Sequence, residues 1–215
     1  MKILIGQPLH EDKIEQLENE IKSNKDIDFV FFPEGYLANE KALVSAREIA
    51  KKYKVAIATS YKRDNKNRAL IINNLGEIVL ERAKTLPDEN IKLYGPTSIN
   101  IDGCEIGYLL CMEILKGRRD LEIVKEHMDF IVHPIGVGMF SDEQFELWIS
   151  EAQNIAKAYN TMVIGTSHAD GSYRNCGVSL PIAYCIDSNG EAIYISKSDT
   201  RTRIVNLTSK EFEIK

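Results

Sequence analysis

More apolar β-type runs follow one another along this chain than a single open sheet holds comfortably. In the first half they alternate with amphipathic helices. "KILIGQ" reads as a strand, and Ile14, Leu17 and Ile21 recur behind it at helical spacing. "DFVFF" is apolar without a break, the pattern of a strand covered on both faces. Ala42, Leu43, Ala46, Ile49, Ala50 and Tyr53 mark one face of a second helix, and "VAIATS" returns as a strand. Hairpins come next. "RALIINNLGEIVLER" reads as two strands around an Asn/Gly-containing turn, and "SINIDGCEIGYLLC" as two more around Asp102-Gly103.

A helix is predicted near residues 118–127, then a strand at "DFIVH". Ser141 and Gln144 offer a capping box for the next helix, whose stripe is Phe145, Trp148, Ile149, Ala152, Ile155, Ala156 and Tyr159. "TMVIGTS" is a strand, and the remainder is β-rich with a second hairpin signal at Asn189-Gly190. Roughly ten or more strands with about four helices lie near the ceiling for one open sheet. Two mixed sheets packed face to face, with helices on their outer sides, resolve the crowding. No repeat, low-complexity tract or linker divides residues 1–215, so a single domain is expected.

A net charge of -5 argues against a surface that tracks phosphates, so nucleic acid is not an expected partner. No run approaches the length of a membrane helix, and the opening "MKILIGQPLHEDK" is too short in apolar residues for a signal peptide. Cys104, Cys111, Cys176 and Cys185 show no CxxC spacing and are expected to be reduced thiols of a cytoplasmic protein. His10, His127, His133 and His168 form no HxH or HExxH pattern, so no metal site is expected.

Three strand ends carry groups that could do chemistry: Glu34 after "DFVFFP", Lys84 after "EIVLER", and Cys111 closing "EIGYLLC". Singly, each has an ordinary reading, as a turn carboxylate, a surface cation and a packed thiol. Together they make a nucleophile with its accessories. A thiol with pKa ~8.5 needs a base or a cation to become a thiolate. A carboxylate desolvated behind an apolar segment suits a general base. An ammonium favours the thiolate and stabilises an oxyanion, and the Met112 N–H could be a second oxyanion donor.

"FFPE", "RAKTLP" and "EIGYLLC", in that order, resemble the nitrilase superfamily of carbon–nitrogen hydrolases. The resemblance implies a four-layer α-β-β-α sandwich and casts Glu34 as general base, Lys84 as oxyanion stabiliser and Cys111 as nucleophile. It implies a second acid shortly after the lysine, best matched by Glu89, with Asp88 behind it. It also implies thioester chemistry on a non-peptide C–N bond without a cofactor, and a homodimer or larger assembly. Amidase-type relatives follow the cysteine with Tyr-Asp and nitrile-cleaving ones with Trp-Glu. Met112-Glu113 here matches neither, and the missing Trp-Glu favours a small amide or N-carbamoyl substrate.

Glu113 could orient the site or simply pair with a nearby Arg or Lys. Gly136, in "HPIGVGMFS", could let backbone approach a ligand or belong to a plain connection. Two rival readings differ in kind. A cysteine–histidine hydrolase would pair Cys111 with His133. A binding or regulatory module would keep the fold without turnover.

Overall fold

The computed structural model describes residues 1–85, 97–115, 127–170 and 178–215. Within them the first strands are β1 (Lys2–Ile5), β2 (Phe29–Phe31), β3 (Ala56–Arg63), β4 (Lys66–Ile72), β5 (Ile78–Ala83), β6 (Thr97–Ile101) and β7 (Cys104–Tyr108). The later ones are β8 (Phe130–Pro134), β9 (Met162–Thr166), β10 (Ile182–Ile186), β11 (Ala192–Lys197), β12 (Arg203–Asn206) and β13 (Phe212–Ile214). The helices are α1 (Glu15–Ser23), α2 (Glu40–Tyr53) and α3 (Asp142–Tyr159).

The strands form two mixed sheets. One has the order β13-β12-β1-β2-β3-β4-β5, the other β11-β10-β9-β8-β7-β6. Each is parallel at its centre, β1-β2-β3 in the first and β7-β8-β9 in the second, and antiparallel outside it.

The two-residue period of a strand assigns the layers. Ile3 and Ile5 of β1, and Phe29 and Phe31 of β2, point inward; Ile106 and Tyr108 of β7, and Phe130 and Val132 of β8, meet them from the other sheet. Phe29 and Phe130 meet edge to face, with centroids 5.4 Å apart and planes at 88°, a geometry worth about 1 kcal/mol beyond the buried area. The intervening residues point outward. Leu4, Val30 and Ile57 pack under α1 and α2, against Leu17, Ile21, Ala46 and Ala50. Ile131 and Val163 pack under α3, against Trp148, Ala152 and Ile155. The result is the expected order of helix, sheet, sheet, helix. "DFVFF" is unbroken because β2 has a helix layer on one side and a second sheet on the other.

Local signals explain the element ends. The Asn39 side chain caps α2 by accepting the Ala42 N–H at 3.0 Å, and Lys54 closes it in the left-handed conformation. Ser141 accepts the Gln144 N–H at 3.2 Å, but Gln144 reaches back to the Phe140 N–H at 2.8 Å, one residue beyond the expected box. Asp102 and Gly103 both have positive φ, as the turn between β6 and β7 demands. Asp64 and Asn65 do the same between β3 and β4, a hairpin that the sequence reading left unassigned. The helix predicted near residues 118–127 falls almost wholly on residues 116–126, outside the described residues.

The edge that matters is set by strand direction. β3 pairs with β4, and β4 with β5, antiparallel, so β5 runs in the sense of β2 and ends at the same edge. β4 starts there. Glu34, Asn67 and Lys84 therefore collect at one edge of the first sheet, opposite the ends of β7 and β8.

Candidate active site

The backbone around Glu34 is held on every side. The Thr59 hydroxyl donates to the Pro33 carbonyl at 2.9 Å, the Gly35 N–H donates to the Ser60 hydroxyl at 2.6 Å, and His168 Nε2 donates to the Glu34 carbonyl at 3.1 Å. Gly35 makes the turn with φ +79°, a region open to glycine. The carboxylate itself is 3% exposed. Its Oε1 accepts from Lys84 Nζ and from Asn67 Nδ2, both at 2.7 Å. Two donors on one oxygen leave Oε2 directed elsewhere, and it faces Gly136. A Cβ at position 136 would lie only 2.8 Å from it.

Lys84 follows β5, and its N–H is fixed by the Asn67 carbonyl at 2.9 Å. Burial opposes its charge, but the charge of Cys111 once it is ionised, together with that of Glu34, outweighs burial and holds the ammonium above the usual lysine range.

Cys111 lies past the end of β7, at the start of a short 3-10 turn, Cys111–Glu113. Its φ is +53°. A side-chain-bearing residue there stores about 1–3 kcal/mol of strain, which persists only where neighbours enforce it. One enforcer is His133, on β8, whose Nε2 donates to the Cys111 carbonyl at 2.8 Å while Nδ1 accepts from the Tyr184 hydroxyl at 2.5 Å. The thiol is pushed up to about 12, first by burial and then by the Glu34 charge, which together outweigh Lys84 and the Gly136 N–H. The ammonium thus lowers the cost of a thiolate without making it the resting form. At rest the sulfur holds its proton.

Glu113 makes the ion pair with an arginine that one of its two sequence readings expected. It is fully buried and takes a bidentate bond from Arg82, at 2.7 and 2.6 Å. It also accepts the Thr85 N–H at 3.1 Å and the Leu110 N–H at 2.7 Å. Four donors satisfy a carboxylate that burial would otherwise make very costly.

Glu34, Lys84, Cys111, Glu113 and Gly136 are thus brought together. Met112 follows the thiol and is 39% exposed. Glu89 and Asp88 lie outside the described residues, as does Cys176, whereas Cys104, Cys111 and Cys185 are free thiols. The His133 ring bonds to the backbone of Cys111 rather than to its sulfur, and burial pushes it down to about 4. It does not stand where a cysteine–histidine base would. Asn67 and Arg82 were missed from sequence. Asn67 follows a loop of polar residues that could face anywhere, and Arg82 is one of several charges in "ERAK".

A further cluster stands behind Glu34. His10 Nδ1 and Asp170 Oδ1 are 2.7 Å apart, and ligand atoms of His10, His168 and Asp170 lie within 4.8 Å of one another. The two rings, however, stack at 3.7 Å with planes 11° apart. A ring nitrogen binds a metal in the ring plane, and one ion cannot lie in two nearly parallel planes. The geometry fits a stacked support under Glu34, not a metal cage. A cavity of about 390 Å³, lined by His10, Gly35, Tyr36, Lys62 and Asn67 among others, opens beside it. Neither that cavity nor two other clefts, of about 500 and 530 Å³, is lined by Glu34, Lys84 or Cys111. Among the described residues, no helix is long and apolar enough to cross a membrane.

No protein-family model and no curated protein matches the sequence. Solved structures do. A carbon–nitrogen hydrolase from Helicobacter pylori G27 superposes with a TM-score of 0.78 at 14% identity, covering 98% of this chain and 90% of that one. The amidase of Nesterenkonia sp. AN1, as a cysteine-to-alanine variant in complex with butyramide, gives 0.77 at 13% identity, covering 98% and 92%. Another variant of that amidase, showing covalent addition of the acetamide moiety of fluoroacetamide at the active-site cysteine, gives 0.74 at 13% identity, covering 95% and 89%. With such likeness along nearly its whole length, the chain has the fold of the nitrilase-superfamily carbon–nitrogen hydrolases.

Proposed function

We propose that this protein is a thiol-dependent carbon–nitrogen hydrolase acting on a small amide or N-carbamoyl compound. The observation that carries the reading is the division of labour on Glu34. Oε1 is occupied by Lys84 and Asn67, while Oε2 faces Gly136, whose N–H bonds the Cys111 sulfur. The base is thereby held by one oxygen and works with the other.

In the proposed cycle Glu34 takes the Cys111 proton as the sulfur attacks the amide carbon. The carbonyl oxygen becomes an oxyanion held by the Lys84 ammonium and the Met112 N–H. The intermediate collapses, the Glu34 proton passes to the nitrogen, and ammonia or an amine leaves. The acyl group remains as a thioester. Glu34 then deprotonates a water that attacks the thioester, and the sulfur leaves as a thiol carrying that proton. The carboxylic acid is released. No cofactor enters the balance. Glu89 is assigned the orientation of Lys84 or of the substrate nitrogen. The free thiols suit a cytoplasmic, reducing setting, and a dimer or larger assembly is the expected state.

The test is a panel of small amides and carbamoyl compounds scored by ammonia release, with mass spectrometry of the protein after fluoroacetamide. Turnover that Cys111→Ala and Glu34→Gln abolish, with an acyl adduct mapping to Cys111, supports the hydrolase. Amides that bind to Cys111→Ala, while the wild type neither turns over nor forms an adduct, would put a binding module in its place.

A further inference from the structure

Lys84 and Cys111 belong to different sheets, yet their neighbours in the chain share one carboxylate. The N–H of Thr85, next after Lys84, and that of Leu110, just before Cys111, both donate to Glu113, on Oε1 and Oε2 respectively. Each of those oxygens also takes one arm of Arg82, which projects from the same strand that delivers Lys84. The Arg82 guanidinium donates further to the Tyr108 carbonyl at 3.2 Å, at the end of the strand that delivers Cys111. Arg82 Nε is taken by the Thr97 hydroxyl at 2.7 Å, so the planar fork cannot swing. The bonds of Arg82 to Glu113 and to the Tyr108 carbonyl, and that of the Thr85 N–H to Glu113, join the segment carrying the ammonium to the segment carrying the thiol. The Leu110 N–H ties Glu113 to the thiol's own segment.

We infer that the Arg82–Glu113 pair is the positioning device that fixes the spacing between Lys84 and Cys111. The inference rests on the hydrolase reading for its meaning in turnover, but not for its geometry. A carboxylate bonded by two amides and a planar fork has one position. Strand ends in two stacked sheets, held only by apolar packing, slide by fractions of an ångström. Displacement on that scale is costly for a nucleophile and its oxyanion partner, with about 100-fold lost for 1 Å.

The alternative is that Glu113 merely stabilises the fold, and the readouts must separate the two. Wild type, Glu113→Gln and Arg82→Lys are alkylated with iodoacetamide at pH 8, and the rate at each cysteine is followed by peptide mass. Cys185 is fully buried in the inter-sheet core and reports general loosening. Lys84 is the cation that favours the Cys111 thiolate, so its retreat slows alkylation of Cys111 about 10-fold or more. The expected result is a slower Cys111 with Cys185 unchanged in both variants, the effect being smaller in Arg82→Lys. On an amide found to be a substrate, kcat falls about 10- to 100-fold with KM little changed.

Faster alkylation at Cys111 and Cys185 together, or an unchanged Cys111 in a folded variant, overturns the inference. If Glu113→Gln does not fold, Arg82→Lys decides by the same readouts. A wild type that cleaves no amide, combined with a slowed Cys111 in the variants, removes the hydrolase and keeps the positioning role. Normal turnover in both variants does the reverse.

Discussion

Replacing Gly136 by alanine adds a methyl carbon 2.8 Å from Oε2 of Glu34 and 3.4 Å from its Cδ. An ordinary carbon–oxygen contact is about 3.3 Å, so the carboxylate must retreat by about 0.5 Å. A carboxylate at the end of a free side chain would do so without consequence. This one cannot, because Oε1 is held at 2.7 Å by both Lys84 and Asn67 and the residue is 3% exposed. Taking about 100-fold for a 1 Å misplacement, half that distance corresponds to about 10-fold in kcat, or ~1.4 kcal/mol on the barrier. Overpacking adds about 1 kcal/mol of lost stability. The assay is ammonia release from an amide substrate at saturation, paired with a thermal melt of the same preparation. A folded Gly136→Ala protein whose kcat stays within about twofold of wild type would refute the reasoning, since Oε2 would then not be the working oxygen.

Two further outcomes follow from the same geometry. His133→Ala should retain measurable turnover with an unshifted acidic limb of the pH–rate profile, because the ring supports the Cys111 carbonyl rather than the sulfur; it should cost about 1–3 kcal/mol through the lost bonds, and complete inactivation of a folded variant would restore histidine as the base. The pH dependence of stability has a defined sign at Cys111: its folded pKa is raised from 9.0 to about 12, so between those values the unfolded chain holds fewer protons and the contribution, complete below pH 9, drains away as pH rises towards 12. Melts of wild type and Cys111→Ala from pH 8 to 11 should show the wild type losing stability faster, and parallel curves would count against it.

Much of this architecture could be read in one dimension. The unbroken "DFVFF", the helix stripes and the Asp102-Gly103 turn each mark a burial environment or a backbone conformation that few other residues satisfy. The Asp64–Asn65 hairpin escaped notice because neither turn residue is glycine, although both adopt positive φ, which Asp and Asn tolerate, between the paired strands β3 and β4. Glu34, Lys84 and Cys111 were legible for a different reason. Glu34 and Cys111 close apolar runs and Lys84 follows the strand "IVLERA", and a strand that ends on a functional group announces where that group must go.

Spacing along the chain, then, is enough to predict which residues line a core and which stand at strand ends, since burial and backbone geometry act locally on each residue. The partition of the two Glu34 oxygens, the bidentate grip of Arg82 on Glu113 and the service of His133 to a carbonyl instead of a thiol were not predictable in that way. Each depends on placing, to within a fraction of an ångström, groups on segments as far apart as 50 residues. Two stacked sheets bring such groups into register only when the whole core has closed, and hydrogen bonds in that dry interior then decide which atom serves which.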